Sequence, residues 1–243
     1  MSDDRIYRKH GMLFTGAMVR AFLRERNPKR QTRRLPNSMN CYIDGSRNRR
    51  LFKELDFAHK NVVVDAGPSP AGNAGPYLHV PNRDGDTTHR VYPAFQPGDE
   101  IWVRETWKPA FTDGSGTAFK ADRGDKIDAG KWHSPIHLPY ARARIRLKVE
   151  RLRIERLHRI VRDDAKAEGL SEITKDGGRT WKWGIPDRDG LPGNEDDGWH
   201  WQEWCVDPCM AYFNLWEKIN GAASLEANPW LFVLDLKPTG EVT

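Results

Sequence analysis

Four basic side chains surround one hydroxyl in the run Lys29-Arg30-Gln31-Thr32-Arg33-Arg34. Thr32 is a candidate nucleophile, but a threonine hydroxyl is weak and needs a neighbouring base. Lys29 serves as that base only with a lowered pKa, and crowding by Arg30, Arg33 and Arg34 works in that direction because a further positive charge there is disfavoured. The alternative is a plain solvated charge run. The chemical reading requires Lys29 and Thr32 to meet. Residues i and i+3 of a strand face opposite ways, so the segment is expected to be a turn or short helical bend. Asn27-Pro28, ahead of it, stops the preceding helix and favours a loop.

Other residues are singled out by where they fall. In Ile101-Trp-Val-Arg-Glu-Thr-Trp107, strand alternation places Ile101, Val103, Glu105 and Trp107 on one face. A carboxylate among apolar neighbours must find a partner, so Glu105 is either a buried structural acceptor or, with Trp102 and Trp107, support for a site. Arg144, Arg146 and Lys148 alternate with Ile145, Leu147 and Val149, giving a strand with a cationic outer face. Those arginines either protect a sheet edge or track phosphates. A bulge is expected between Val149 and Leu152, where the parity slips. Glu168 ends a short helix stopped by Gly169, and an acid there faces the negative end of the helix macrodipole. Cys205 and Cys209 near His200 lack a fourth ligand, so neither a metal nor a cofactor is expected.

The elements that must position these residues are unevenly legible. Residues 17–26 read as a helix with Thr15 as N-cap, fed by a short strand over residues 11–14. From 35 to 96 the pattern dissolves into Pro, Gly, Asn and Asp, notably Gly67-Pro-Ser-Pro-Ala-Gly-Asn-Ala-Gly-Pro76, and only residues 61–65 and 77–80 look strand-like. Residues 118–122 read as a short strand and 132–139 as an extended irregular segment. A second loop-rich stretch, 171–206, carries Trp181, Trp183, Trp199, Trp201 and Trp204, which either anchor a core or offer a stacking surface for bases. Asp207 caps a last helix with Pro208 in its first turn, a stripe of Cys209, Phe213, Trp216 and Ile219, and Gly221 at its end. Residues 229–236 are apolar on both faces save Asp235, which suits a central strand.

The 243 residues, 38% hydrophobic and 30% charged, can bury a proper core. No apolar run approaches the roughly 18 residues of a membrane helix, so no membrane role and a cytoplasmic location are expected. The net charge of +5 is unevenly spread. Bases outnumber acids over residues 1–60 and acids prevail over 163–200, which favours a polyanionic partner on one face.

Taken in order, Leu13-Phe-Thr-Gly-Ala-Met-Val-Arg20, Lys29-x-x-Thr32-Arg-Arg34, residues 97–107, Asp164-Ala-Lys-Ala-Glu-Gly169, Leu215-Trp-Glu-Lys-Ile-Asn220 and Asn228-Pro-Trp230 resemble the ASCH domains of the PUA-like superfamily, especially the larger bacteriophage- and prophage-encoded type. These pieces cover about half of the chain. The resemblance implies an α+β fold: a single PUA-like domain over residues 5–238, with a small β-barrel flanked by about three helices and two long loop-rich insertions at about 36–96 and 171–206. It also implies a cleft for RNA or a modified nucleoside, and the host cytoplasm as location if the chain is phage-encoded.

A small bacterial member looks like an amidohydrolase of N4-acetylcytidine whose Lys, Thr and Glu fall here on Lys29, Thr32 and Glu168. On that pattern Glu168 orients the lysine or passes a proton to the leaving N4 amine, while its charge opposes the lowering of the lysine pKa. The family's Gly-Arg-Lys-Thr-Gln-Thr is replaced here by Arg26-Asn-Pro-Lys-Arg-Gln-Thr32. The expected function is deacylation of a modified nucleoside or nucleobase in a cationic cleft. The alternative is a non-catalytic RNA- or DNA-binding module that uses Arg30, Arg33, Arg34, Arg144 and Arg146. A ribonuclease is a weaker third reading, since the sequence has no acidic metal cluster. Oligomeric state stays open.

Overall fold

The structure, a computed structural model, describes residues 7–39, 41–69, 72, 75–111, 115–123, 131–193 and 198–240. Strand β1 (Lys9–Leu13) leads into helix α1 (Gly16–Leu23), capped by Thr15, whose hydroxyl accepts from the Met18 N–H. The helix stops short of the expected residue 26. Arg24 turns away to donate to the carbonyls of Asn27, Gly169 and Leu170, and these side-chain bonds, the last two from across the fold, replace a further helical turn.

The cation-rich segment is a strand, β2 (Gln31–Arg34), and not the expected turn. Pairing with the last strand draws its backbone into a sheet, which overrides the loop signal of Asn27-Pro28. Strands β3 (Cys41–Ile43), β4 (Val63–Asp65), β5 (Tyr77–Pro81) and β6 (Thr88–Pro93) form an antiparallel sheet in the order β3-β6-β5-β4. The Gly/Pro run of residues 67–76 lies partly outside the described residues.

Next come β7 (Glu100–Arg104), β8 (Trp107–Pro109), β9 (Thr117–Phe119) and α2 (Lys120–Arg123). The alternation expected through Trp107 ends at Arg104. Ile101 and Val103 enter the main core, whereas Trp107 packs with Trp102, Phe119 and Leu138 in a separate cluster. The expected strand over 118–122 is half helix. The remaining elements are β10 (Arg146–Arg156), α3 (Arg162–Ala167), β11 (Ser171–Ile173), β12 (Lys182–Gly184), α4 (Pro208–Asn220), α5 (Ala222–Ala227) and β13 (Trp230–Pro238). Strand β10 slips register between Val149 and Arg151, where the bulge is expected.

The principal sheet runs β1-β7-β10-β13-β2, with only β1 and β7 parallel. The described strands do not close into the small barrel that was expected. Its two edges approach each other, but the gap is spanned by a side chain: Arg34 Nη2 donates to the Leu13 carbonyl at 3.3 Å. Among the described residues five α-helices flank the sheets in place of about three.

One core unites both sheets. Ile43, Leu78, Val80 and Val91 from the smaller sheet pack with Ile101, Leu147, Phe232 and Leu234 from the larger, so residues 36–96 supply one wall of the interior. A second core gathers Trp183, Trp199 and Trp204 against Tyr212 and Trp216 of α4. Most of the tryptophans are thus anchors, with Trp181 exposed. Helix α4 is rotated from its expected stripe: Ala211, Tyr212 and Trp216 face inward and Ile219 is 68% exposed. Among the described residues no helix is long and apolar enough to cross a membrane.

Candidate functional site

Two backbone bonds fix Lys29 between helices: its N–H donates to the Ala21 carbonyl at the end of α1, and the Arg30 N–H donates to Ala167 at the end of α3. Gly169, at φ 100°, has no Cβ to collide with Ala21 and Lys29, so the lysine lies directly against the end of α3. Its Nζ donates to Glu168 Oε2 at 2.9 Å and to the Glu168 carbonyl. Lys29 is 2% exposed and Glu168 7%. Burial pushes the Lys29 pKa down; Glu168 works against that, and Arg34 and Arg33 reinforce it. A lysine at a helix C-terminus also relieves the awkward carboxylate there.

Strand alternation then divides β2. Gln31 and Arg33 face α3, and Thr32 and Arg34 face the main core beside Leu234 and Phe232. Arg33 Nη2 meets Glu155 at 2.9 Å and Asp164 at 2.7 Å, and Nη1 lies 3.5 Å from Glu168. Burial alone would lower its pKa; Glu168 and Asp164 raise it instead. The two terminal nitrogens of Arg33 are therefore engaged inside the fold, while its buried Nε has no hydrogen-bond partner. Thr32 is 1% exposed, and its hydroxyl accepts from Arg34 Nε at 3.3 Å. The structure brings Lys29 and Glu168 into direct contact and leaves Thr32 on the other face of the strand, hydrogen-bonded to Arg34.

The remaining candidates scatter. Arg144 makes two 2.9 Å bonds to Glu105, two more to Asp122, and stacks over the Phe119 ring. Burial raises the Glu105 pKa against the pull of Arg144. This is a structural ion pair on the far side of β7, beside the cluster that buries Trp102 and Trp107. Arg146 lies over the Tyr140 ring, and Arg30 donates to the carbonyl of Lys29. Among the described residues no three His, Cys, Asp or Glu side chains gather as metal ligands.

Of the arginines singled out in the sequence, Arg34 alone borders the cavity, a space of about 1210 Å³ at the gap between the edges of β1 and β2. Residues 10–13 of β1, Arg34, Arg104, Phe52, Phe57 and Phe95 line it, with the exposed Arg47, Arg49, Lys53 and Arg83 around it. Asp56 is the one carboxylate in that lining. Among the described residues none of the six Lys and Arg side chains makes an ion pair, in contrast to Arg33, Arg144 and Arg153. Burial lowers the pKa of Arg34. Arg104 stacks on Trp102, and its Nε is buried with no hydrogen-bond partner. His10 Nε2 faces Asp99 Oδ2 at 3.1 Å. Burial opposes ionisation of Asp99, but the His10 contact and the N–H groups of Arg8 and Gln96 hold its pKa below the ordinary value.

Sequence reasoning missed His10, Arg47, Arg49, Lys53, Arg83 and Arg104. The signal available was the excess of bases in the first 60 residues, which holds three of them on the 36–96 segment without saying where they converge. No family model, curated protein or solved structure matches this chain.

Proposed function

We propose that the protein binds a single strand of RNA or DNA in the cationic cavity. One observation carries the reading: six basic side chains without ion-pair partners surround one space, whereas Arg33, Arg144 and Arg153 are each held by carboxylates. Unpaired cations converging on a cleft concentrate positive potential there and attract a polyanion. The volume of about 1210 Å³ exceeds the roughly 300–1,000 Å³ typical of small-ligand pockets, so it favours several linked nucleotides over a lone nucleoside. Phe52, half-buried and stacked on the core ring of Phe57, offers an aromatic surface for a base. The resemblance to ASCH domains implies the same ligand class. Titration of a labelled oligonucleotide at several salt concentrations tests the reading. Three or more phosphate contacts give a slope of log affinity on log salt steeper than about −2. Absence of binding at low ionic strength removes it.

A second reading, deacylation of an N4-acylcytidine by Lys29, Thr32 and Glu168, is favoured by the buried Lys29–Glu168 contact and the lowered lysine pKa. It ranks lower because Thr32 is sealed from solvent and bonded to Arg34. Release of acetate from N4-acetylcytidine by the protein, abolished in Thr32→Ala, would reverse that ranking.

A further inference from the structure

The charged lining of the cavity is cationic except at one place. Asp56 shares that lining with six Lys and Arg residues and forms an ion pair with none of them. Its backbone is fixed in a turn: the Asp56 N–H donates to the Pro81 carbonyl, and the Asp56 carbonyl accepts from the His59 N–H. One carboxylate oxygen, Oδ1, accepts from the Ala58 N–H at 2.9 Å. The half-buried side chain leaves Oδ2 open, without a hydrogen-bond partner among the described residues. Arg156 is close enough to feel the charge, but its two terminal nitrogens are taken by the carbonyls of Ala58, His59 and Asn228. The turn thus uses one of about four lone-pair sites on the carboxylate. The same group repels the phosphates that the surrounding cations attract, so it opposes a polyanion unless it meets a donor on that ligand.

We propose that Asp56 reads a base of the bound strand and selects guanine. The inference rests on the strand-binding reading and names the sequence that such a site prefers. A phosphodiester carries no donor, so the base edges are where a strand meets a carboxylate with sequence information. Of the four Watson–Crick edges, guanine alone presents two adjacent donors, N1–H and the N2 amino group, which match the two oxygens of a carboxylate. Cytosine and adenine present one amino group beside a ring acceptor, and uracil presents one N–H between two carbonyls, so each sets an acceptor against Asp56. Aromatic surface belongs to the same wall. Phe57 follows Asp56 at a Cα step of about 3.8 Å, and Phe52 stacks on Phe57 with 6.2 Å between ring centroids and lines the same cavity.

The test uses the full chain and a labelled oligouridine carrying one guanine, one cytosine, one adenine or no substitution, in ribose and deoxyribose forms, with affinity read by fluorescence anisotropy at low salt. The guanine strand should bind on the order of tenfold more tightly than the unsubstituted one. Inosine, which lacks the N2 amino group, should lose most of that gain in the unaltered protein. A 7-deazaguanine, whose two donors are intact, should keep it. Asp56→Asn retains the oxygen that accepts from Ala58 and should abolish the guanine preference. It should bind the unsubstituted strand at least as tightly as before, because a negative charge leaves the cavity. A residue that only shapes the turn would leave these ratios unchanged. If the four strands bind equally, strand binding stands and Asp56 reads no base. A preference for cytosine or adenine overturns the assignment, as does a guanine preference that survives Asp56→Asn. If no strand binds at low ionic strength, the strand-binding reading fails and takes this one with it.

Discussion

Each member of the Lys29–Glu168 pair is the other's counter-charge in a place without water, so removing one leaves an uncompensated buried charge. Lys29→Met should lower unfolding free energy by about 3–5 kcal/mol, and Lys29→Met combined with Glu168→Leu should recover part of that loss, as measured by urea denaturation. Arg33 limits the recovery because it also leans on Glu168. Asp99 and Asp164 make a pH prediction. Burial raises both carboxyl pKa values, but hydrogen bonds, from His10 and backbone N–H groups for one and from Arg33 and Gln31 for the other, hold them below the ordinary 3.8. The stability they add is present above 3.8 and is lost as pH falls through their lower folded values. Melting temperature should therefore drop steeply below that point, and the drop should be shallower in Asp164→Asn. At this scale the sequence exposed Glu168, because a carboxylate before a helix-stopping glycine is out of place on local grounds alone. Arg104 was invisible, since its setting depends on Gly11, brought beside it by a parallel pairing across 91 residues of chain.

Elements whose shape is decided locally were readable, and those decided by a distant partner were not. Thr15 and Asp207 cap their helices, and the parity slip in β10 marks a real register shift. Strands β3 and β6 escaped notice because a three-residue strand has no period and β6 sits amid turn residues. Strand β2 was misread because Asn27-Pro28 and the required meeting of Lys29 with Thr32 argue for a turn until β13 is alongside. Two substitutions probe the joints. Asp207→Ala removes the acceptor for the Cys209 N–H and should reduce stability by about 1 kcal/mol. Gly169→Ala should be worse, because a left-handed φ is combined with a methyl crowding Ala21 and Lys29, and the damage should appear as a lower melting temperature.

At the scale of the whole molecule the two larger sheets share one interior, so the 36–96 segment cannot be treated as an ornament on a smaller domain. Its excision should give a chain without cooperative unfolding in denaturant, because the faces of Ile101, Leu147 and Phe232 would lose their covering wall. The sequence hid this. A glycine- and proline-rich composition describes the loops of the segment, while the few residues that reach the interior are too widely spaced to form a pattern. The place of β13 also sets a clock. It lies between β10 and β2, and among the described residues β2 has no other strand beside it in the sheet. At ~5–20 residues per second on the ribosome, the roughly 200 residues separating β2 from its partner take on the order of ten to forty seconds to emerge. For about the first two-thirds of that interval Arg33 also lacks Glu155, Asp164 and Glu168, and the nascent chain carries an unfinished sheet until β13 is made.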